Sequence, residues 1–412
     1  MLRTAAILFP LWLMVFTAAS QTIIITPILP ILGEALDAEV SQLGWLVSVY
    51  SYALAFAALV MGPISDRIGR RRVLMIGSGA IAVVLGLHGW ATSFSSFALV
   101  RVLAGMCGGM LSGAAVAYCG DYFPYEKRGW ATGLVMSGVP FGLVIGIPIG
   151  RVLAASLGYR IPFVAFAVIM AVAFLMIWLL VPQPDVKRDT DAITLKSGLQ
   201  RYGRLLGDAD VRVASLTYFL MYMSLSLLVV LLPQWLTDNF ALDVSLFGYP
   251  LEFGDVKIDF IATLFLVGGT VSVLIGPTAG SLSDRIGRKP LILISCFGLA
   301  AVSMLLTEIV TVRWVAYPVY IAIMGLFSMR MAPLQALLTA LVPAQQRGSF
   351  MSLTIAIGQI GTGFGATAAG WLYARYGFVG DTLASGFVIL LMAWLVWRAL
   401  PEPTEDAQGL VG

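Results

Sequence analysis

Twelve apolar stretches, nearly all of about twenty residues or more and most of them almost free of charge, alternate with short polar connections. They lie at 7–32, 44–64, 73–92, 97–119, 130–154 and 161–181, then at 211–236, 259–279, 290–308, 314–342, 349–373 and 381–400. A helix rises 1.5 Å per residue, so about 20 apolar residues cross a hydrocarbon layer about 30 Å thick. Inside a bilayer each backbone amide has to be satisfied within its own segment, which selects helices for such runs. The pattern therefore predicts an all-α polytopic membrane protein with twelve transmembrane helices. The long polar stretch from Pro182 to Asp210 divides it into an N-terminal six-helix bundle (1–181), a linker (182–210) and a C-terminal six-helix bundle with a short tail (211–412). Arg3, the following apolar run and Thr17-Ala-Ala-Ser20 imitate a signal peptide, but the run continues to Leu32, too long for a signal core, and reads as the first span.

Composition agrees with this reading. Of 412 residues 59% are hydrophobic and 11% charged, against about 25% charged in soluble domains, and mean hydropathy is +0.92. Cationic loops (Arg67–Arg72, Lys127–Arg128, Lys187–Arg204, Arg285–Lys289, Arg347) alternate with loops carrying Glu34, Asp37, Glu39, Asp238, Asp243, Glu252, Asp255 and Asp259. The positive-inside rule places the basic loops and both termini in the cytoplasm, so the net charge of +3 reflects topology and no nucleic-acid partner is expected. Cys107, Cys119 and Cys296 lie in apolar runs without metal-ligand spacing, and His88, the single histidine, reads as a packing or interface residue, with a proton relay as the alternative.

The two halves share a sequence. Gly62-Pro-Ile-Ser-Asp66-Arg67-Ile-Gly69-Arg70-Arg-Arg recurs as Gly280-Ser-Leu-Ser-Asp284-Arg285-Ile-Gly287-Arg288-Lys-Pro, an offset of 284 − 66 = 218. Pro124-Tyr-Glu-Lys-Arg128-Gly129 and Pro343-Ala-Gln-Gln-Arg347-Gly348 repeat at 347 − 128 = 219. Two landmarks with one spacing imply an internal duplication.

Twelve predicted helices in two related halves, with G-x-x-x-D-R-x-G-R-[RK] in both, resemble the major facilitator superfamily across the whole chain. Arg101-Val-Leu-Ala-Gly105 is similar to the arginine motif of proton-linked members. The fifth helix, with Gly138, Pro140, Gly142, Gly146, Pro148 and Gly150, is similar to the Gly/Pro motif of drug and sugar efflux proteins. Ile147 separates the Gly and Pro that are adjacent in that motif, and Ser20-Gln21-Thr22 stands where many multidrug members have an acid. The resemblance implies a cytoplasmic gate of Gly62, Asp66, Arg67, Gly69, Arg70 and Asp121, with Asp66 facing the eleventh helix near Gly348 and Asp121 pairing with Arg70. It implies a second gate at Gly280, Asp284, Arg285, Gly287 and Arg288. Aligning Pro343 with Pro124 puts Ala340 opposite Asp121, so the second gate is expected to be weaker.

Charges inside spans are costly and point to function. Arg330 lies twelve positions before Pro343, about 18 Å along a helix, and is expected at the central cavity, with structural pairing as the alternative. Arg101 lies near a helix end, within snorkelling reach. Gln21, Tyr50, Tyr222, Gln335 and Gln359 are further substrate or coupling candidates, or interhelical hydrogen-bond partners. The glycines and prolines of the fifth helix read equally as a hinge or as packing. Among acids, Asp121 is the best-placed candidate for proton coupling, with Asp259 and Glu308 less central.

No G-x-x-x-x-G-K-[ST] loop, nucleophile–base constellation or metal spacing occurs, which excludes intrinsic ATP-driven pumping and implies no cofactor and no enzyme. The expected function is secondary active transport by alternating access, as proton-coupled efflux of a small apolar drug-like or sugar-like compound from a plasma (inner) membrane. Uptake by symport or facilitated diffusion is the alternative in transport, and a non-transporting sensor or assembly factor the alternative outside it. A small-molecule substrate, the lipid bilayer and a monomeric state complete the expectation.

Overall fold

The computed structural model describes residues 2–184, 195–241, 251–253, 256–342 and 347–400. Six helical segments form the first half: α1 (Leu2–Ile23, continued by Ile25–Ala35), α2 (Val40–Ile68), α3 (Arg70–Leu87), α4 (Phe94–Leu111, continued by Ala114–Tyr122), α5 (spanning 125–157) and α6 (Ile161–Leu180). Six form the second: α7 (Ala209–Val229, continued by Leu232–Asn239), α8 (Phe260–Ile286), α9 (Arg288–Ile309), α10 (Ala316–Ala340), α11 (Arg347–Tyr376) and α12 (Phe378–Ala399). Eleven segments meet the length and apolarity needed to cross a membrane, and α11, 30 residues packed between α2 and α7, is the twelfth. The observed all-α polytopic architecture agrees with the sequence pattern, most ends moving by two to five residues because flanking polar residues continue the same helices.

Three features went unread in the sequence. A helix, Leu195–Gly207, occupies the polar linker, and an antiparallel pair of short strands, β1 (Leu251–Phe253) and β2 (Val256–Ile258), precedes α8. A π-helical turn at Gly142–Gly146 interrupts α5 two residues before Pro148, which has no N–H to continue the regular ladder.

The glycine of the duplicated motif makes the same turn in both halves. Gly69 (φ 95°, ψ 143°) separates α2 from α3, and Gly287 (φ 94°, ψ 147°) separates α8 from α9. Only glycine adopts this conformation without a steric penalty, so the invariant glycine of the repeat lets two long helices turn within one residue.

Lipid, not water, is the natural neighbour of the outer surface. Val83, Leu179 and Phe387 are each about two-thirds exposed, and Trp90, Trp371, Trp394 and Trp397 are exposed along with them. Cys107, Cys119 and Cys296 are buried free thiols. His88 is buried, stacked on Phe163 at 4.3 Å, with Nδ1 3.1 Å from the Val84 carbonyl, while its Nε2 has no hydrogen-bond partner among the described residues.

Candidate functional site

Inside the first half, α1, α2 and α4 bring together four polar side chains. The Tyr50 hydroxyl accepts from Gln21 Nε2 (2.9 Å) and lies 2.6 Å from Thr22 Oγ1. Arg101 lies over the Tyr50 ring, 4.1 Å from its centroid, and reaches the Leu46 and Gln21 carbonyls at 3.4 Å. Close packing makes this possible: a Cβ on Gly105 would collide with the Tyr50 carbonyl, and one on Gly108 would come 2.8 Å from the Tyr50 hydroxyl. Arg101 is fully buried and so does not snorkel. The helix begins at Phe94 behind a Ser93 capping box, which places Arg101 about 10 Å inside it, where the π face and two carbonyls take the place of interfacial water. Among the described residues its Nη2 has no hydrogen-bond partner.

In the second half, rings form a ladder from α7 to α10: Tyr218 to Tyr222 (5.3 Å), then Tyr222 to Phe327 (6.5 Å), with Arg330 5.3 Å above Phe327. The buried Arg330 guanidinium faces α9, with Nη1 3.8 Å from Cys296 Sγ, and its Nε and Nη2 have no partner among the described residues. It meets neither an acid nor a carbonyl there, because the face of α10 that carries it packs on α9 within its own half. Gln335 is exposed and Gln359 half-buried, and neither joins this ladder.

At the basic-loop end, Arg70 Nε donates to Asp121 Oδ2 at 2.9 Å, linking α3 to the foot of α4. Arg71 donates to the Trp178 carbonyl (2.6 Å) and Tyr118 to the Pro182 carbonyl (2.7 Å), tying this corner to α6. The side chains of Gly62, Asp66 and Arg67 lie outside the described residues, as do those of Ala340, Arg347 and Gly348. In the second copy Asp284 is largely exposed and reaches Arg288 of the next helix only at 4.0 Å. Gly280 faces Ala332 of α10, and Arg285 is exposed.

The hydrogen bonds and ion pair that join the two halves directly, among the described residues, lie toward the acidic-loop end. Ser48 of α2 donates to the Gly363 carbonyl of α11 (2.7 Å), with Thr367 Oγ1 2.8 Å away. A Cβ on Gly44 would collide with the Ala366 carbonyl, and one on Gly370 would come 2.5 Å from the Ser41 carbonyl oxygen. Arg151 of α5 pairs with Asp259 at the start of α8 (2.6 Å) and donates to the Pro27 carbonyl (2.6 Å). Sequence reasoning singled out Asp259 as an acid but missed Arg151, whose partner is 108 positions away.

The α5 glycines form one stripe. Gly138 packs on Trp12 and Phe16, Gly142 on Phe16 and Ser20, Gly146 on Ser20 and Gly150 on Ile24, so the stripe follows α1 turn by turn. Pro140 and Pro148 flank the π turn of the same helix. Packing and an irregular turn thus share one segment.

Two six-helix halves, in contact along α2–α11 and α5–α8 and holding buried arginines and tyrosines between the ends of their spans, define a membrane transporter of the alternating-access architecture. A family model described as Major Facilitator Superfamily matches residues 11–212 and 214–411, and the chain belongs to that family. Among curated relatives, it is 26% identical to the multidrug resistance protein MdtG of Yersinia enterocolitica, covering 97% of this chain and 95% of that protein. It is 23% identical to the uncharacterized transporter YceJ of Bacillus subtilis (95% and 96% covered). Among solved structures, a D-xylose–proton symporter superposes with TM-score 0.76 at 18% identity (96% and 98% covered), and the inward-open xylose transporter XylE of E. coli with 0.73 at 17% (98% of each). These two likenesses establish the fold.

Proposed function

We propose that this protein is a secondary transporter that exports a small, largely apolar or sugar-like compound in exchange for protons. The observation that carries alternation is the interface between halves. It includes glycine-backbone contacts, a serine hydrogen bond, one ion pair and the packing of Tyr52 on Phe364, which part and re-form without unfolding either bundle. The basic-loop end is taken as cytoplasmic by the positive-inside rule, which makes the sealed end the outer one. Arg101 with Tyr50, Gln21 and Thr22 is assigned to the substrate or coupling site, because a buried guanidinium nitrogen without a partner is costly unless a ligand or carbonyl completes it. Arg70–Asp121 is assigned to the cytoplasmic gate, with Asp66 and Arg67 beside it in sequence.

Export is favoured by the 26% identical relative named as a multidrug resistance protein. The test is flux in reconstituted vesicles carrying an imposed pH gradient, with a panel of hydrophobic fluorescent dyes and small sugars. Gradient-dependent movement of at least one compound is expected. None across the panel, with protein correctly inserted, overturns proton-coupled export. Accumulation in the direction of the proton flow would replace it with symport.

A further inference from the structure

Asp381 lies in the first turn of α12, fully buried, and neither carboxylate oxygen has a hydrogen-bond partner among the described residues. The hydroxyls next to it on α12, and Ser303 of the adjoining α9, donate elsewhere. Ser385 donates to the Ser224 carbonyl (2.8 Å), Thr382 to the Val379 carbonyl (3.0 Å) and Ser303 to the Thr382 carbonyl (2.8 Å). An ionised carboxylate would find neither donor nor counter-charge there, so burial strongly disfavours the charged form. A carboxyl that carries a proton avoids that cost without breaking any bond in the fold.

Tyr373 of α11 packs its ring against Phe378, 6.2 Å between centroids, in the same first turn of α12 that carries Asp381. Its hydroxyl donates to Asp238 Oδ2 at 2.6 Å, and Gln234 Nε2 donates to Asp238 Oδ1 at 2.8 Å. Asp238, on the short continuation of α7, is exposed at the acidic-loop end. The other titratable groups on the helices packed against α12 are Arg375 and Tyr376 on α11, Asp210, Arg212, Tyr218 and Tyr222 on α7, and Arg288, Lys289, Cys296 and Glu308 on α9.

We propose that Asp381 is a proton-carrying site of the second half, loaded and unloaded from the acidic-loop end through Tyr373 and Asp238. Tyr373 passes its hydroxyl proton to an Asp381 oxygen and takes another from a protonated Asp238, so one O–H bond forms for each that breaks. The site's purpose rests on the proton-exchange reading above; its chemistry does not.

Two measurements on the full-length protein test this. Infrared difference spectra across a pH titration should contain a protonated-carboxyl band that Asp381→Asn removes and Asp381→Glu shifts. A spectrum unchanged by Asp381→Asn overturns the proposal whatever the cargo. In vesicles, for a dye moved by the parent, Asp381→Asn should lower pH-driven flux at least tenfold while leaving gradient-free exchange within twofold. Tyr373→Phe should slow pH-driven flux and retain the infrared band. Unaltered pH-driven flux in Asp381→Asn overturns the site while leaving proton exchange intact, whereas absence of gradient-dependent flux in the parent overturns proton exchange and leaves the infrared result to decide the site. Flux driven by a sodium gradient alone, lost in Asp381→Asn, would assign the carboxylate to a metal cation and likewise overturn the proposal.

Discussion

Replacing Gly370 with alanine should hold the two halves apart at the acidic-loop end. A Cβ there would stand 2.5 Å from the Ser41 carbonyl oxygen and 3.2 Å from its carbon. Carbon–oxygen approaches are ordinarily about 3.3 Å or more, so α2 and α11 would have to separate by roughly 0.8 Å. Both sides of the contact are main chain, so no rotamer change relieves it. Overpacking of this kind costs about 1–3 kcal/mol. The cost falls on the sealed state alone, because the contact is absent once the halves part. The ratio of sealed to parted molecules should therefore drop by about 5- to 150-fold. Spin labels at the exposed positions Gln42 and Tyr376 would report the separation directly, and Gly370→Ala should enlarge the long-distance population. Gly86→Ala is the control, since nothing lies within 4 Å of its added Cβ. An unchanged distance distribution, with normal insertion, would refute the reasoning; so would a lowered melting temperature with the distribution unaltered, which would make the contact a structural one.

Arg151→Gln or Asp259→Asn alone leaves a largely buried charge without its partner, about 3–5 kcal/mol of destabilisation of the sealed end. The double variant should recover most of it in thermal unfolding and in labelling from the acidic-loop side, and strict additivity would dismiss the pair as a lock. Asp121→Asn removes an ion pair whose side chains are 23% and 29% exposed, so stability should change by less than about 1 kcal/mol while flux falls about tenfold; wild-type flux would make the pair a surface contact. Tyr50→Phe strips Gln21 and Thr22 of a buried partner, about 1–3 kcal/mol, and should raise the apparent KM for the transported compound with Arg101 still in place. An unaltered concentration dependence would reduce the cluster to packing.

The helices were legible in the sequence because a bilayer enforces a simple rule, namely an apolar run of sufficient length with its amides bonded within itself. The duplication was legible because a tight turn between two helices demands glycine, and Gly69 and Gly287 meet that demand with the same backbone angles. Arg70 and Asp121 stand 2.9 Å apart, on the two positions that the family resemblance paired. Within the candidate site, Gln21, Tyr50 and Arg101 could each be named from one span, but their meeting depends on how α1, α2 and α4 pack.

Arg151 and Asp381 show why the rest was hidden. Each reads in the sequence as a charge near the end of an apolar run, a place where solvent or lipid headgroups normally receive it. Arg151 became half of a lock only when α8 brought Asp259 to it, and Asp381 lost its solvent to α7, α9 and α11. The sequence by itself determined the number of spans, their pairing into halves and the family, since these follow from local hydrophobicity and from repetition along the chain. Tertiary structure alone decided which charges are buried, which residues join the halves and which glycines touch, since each depends on surfaces that distant segments of the chain supply.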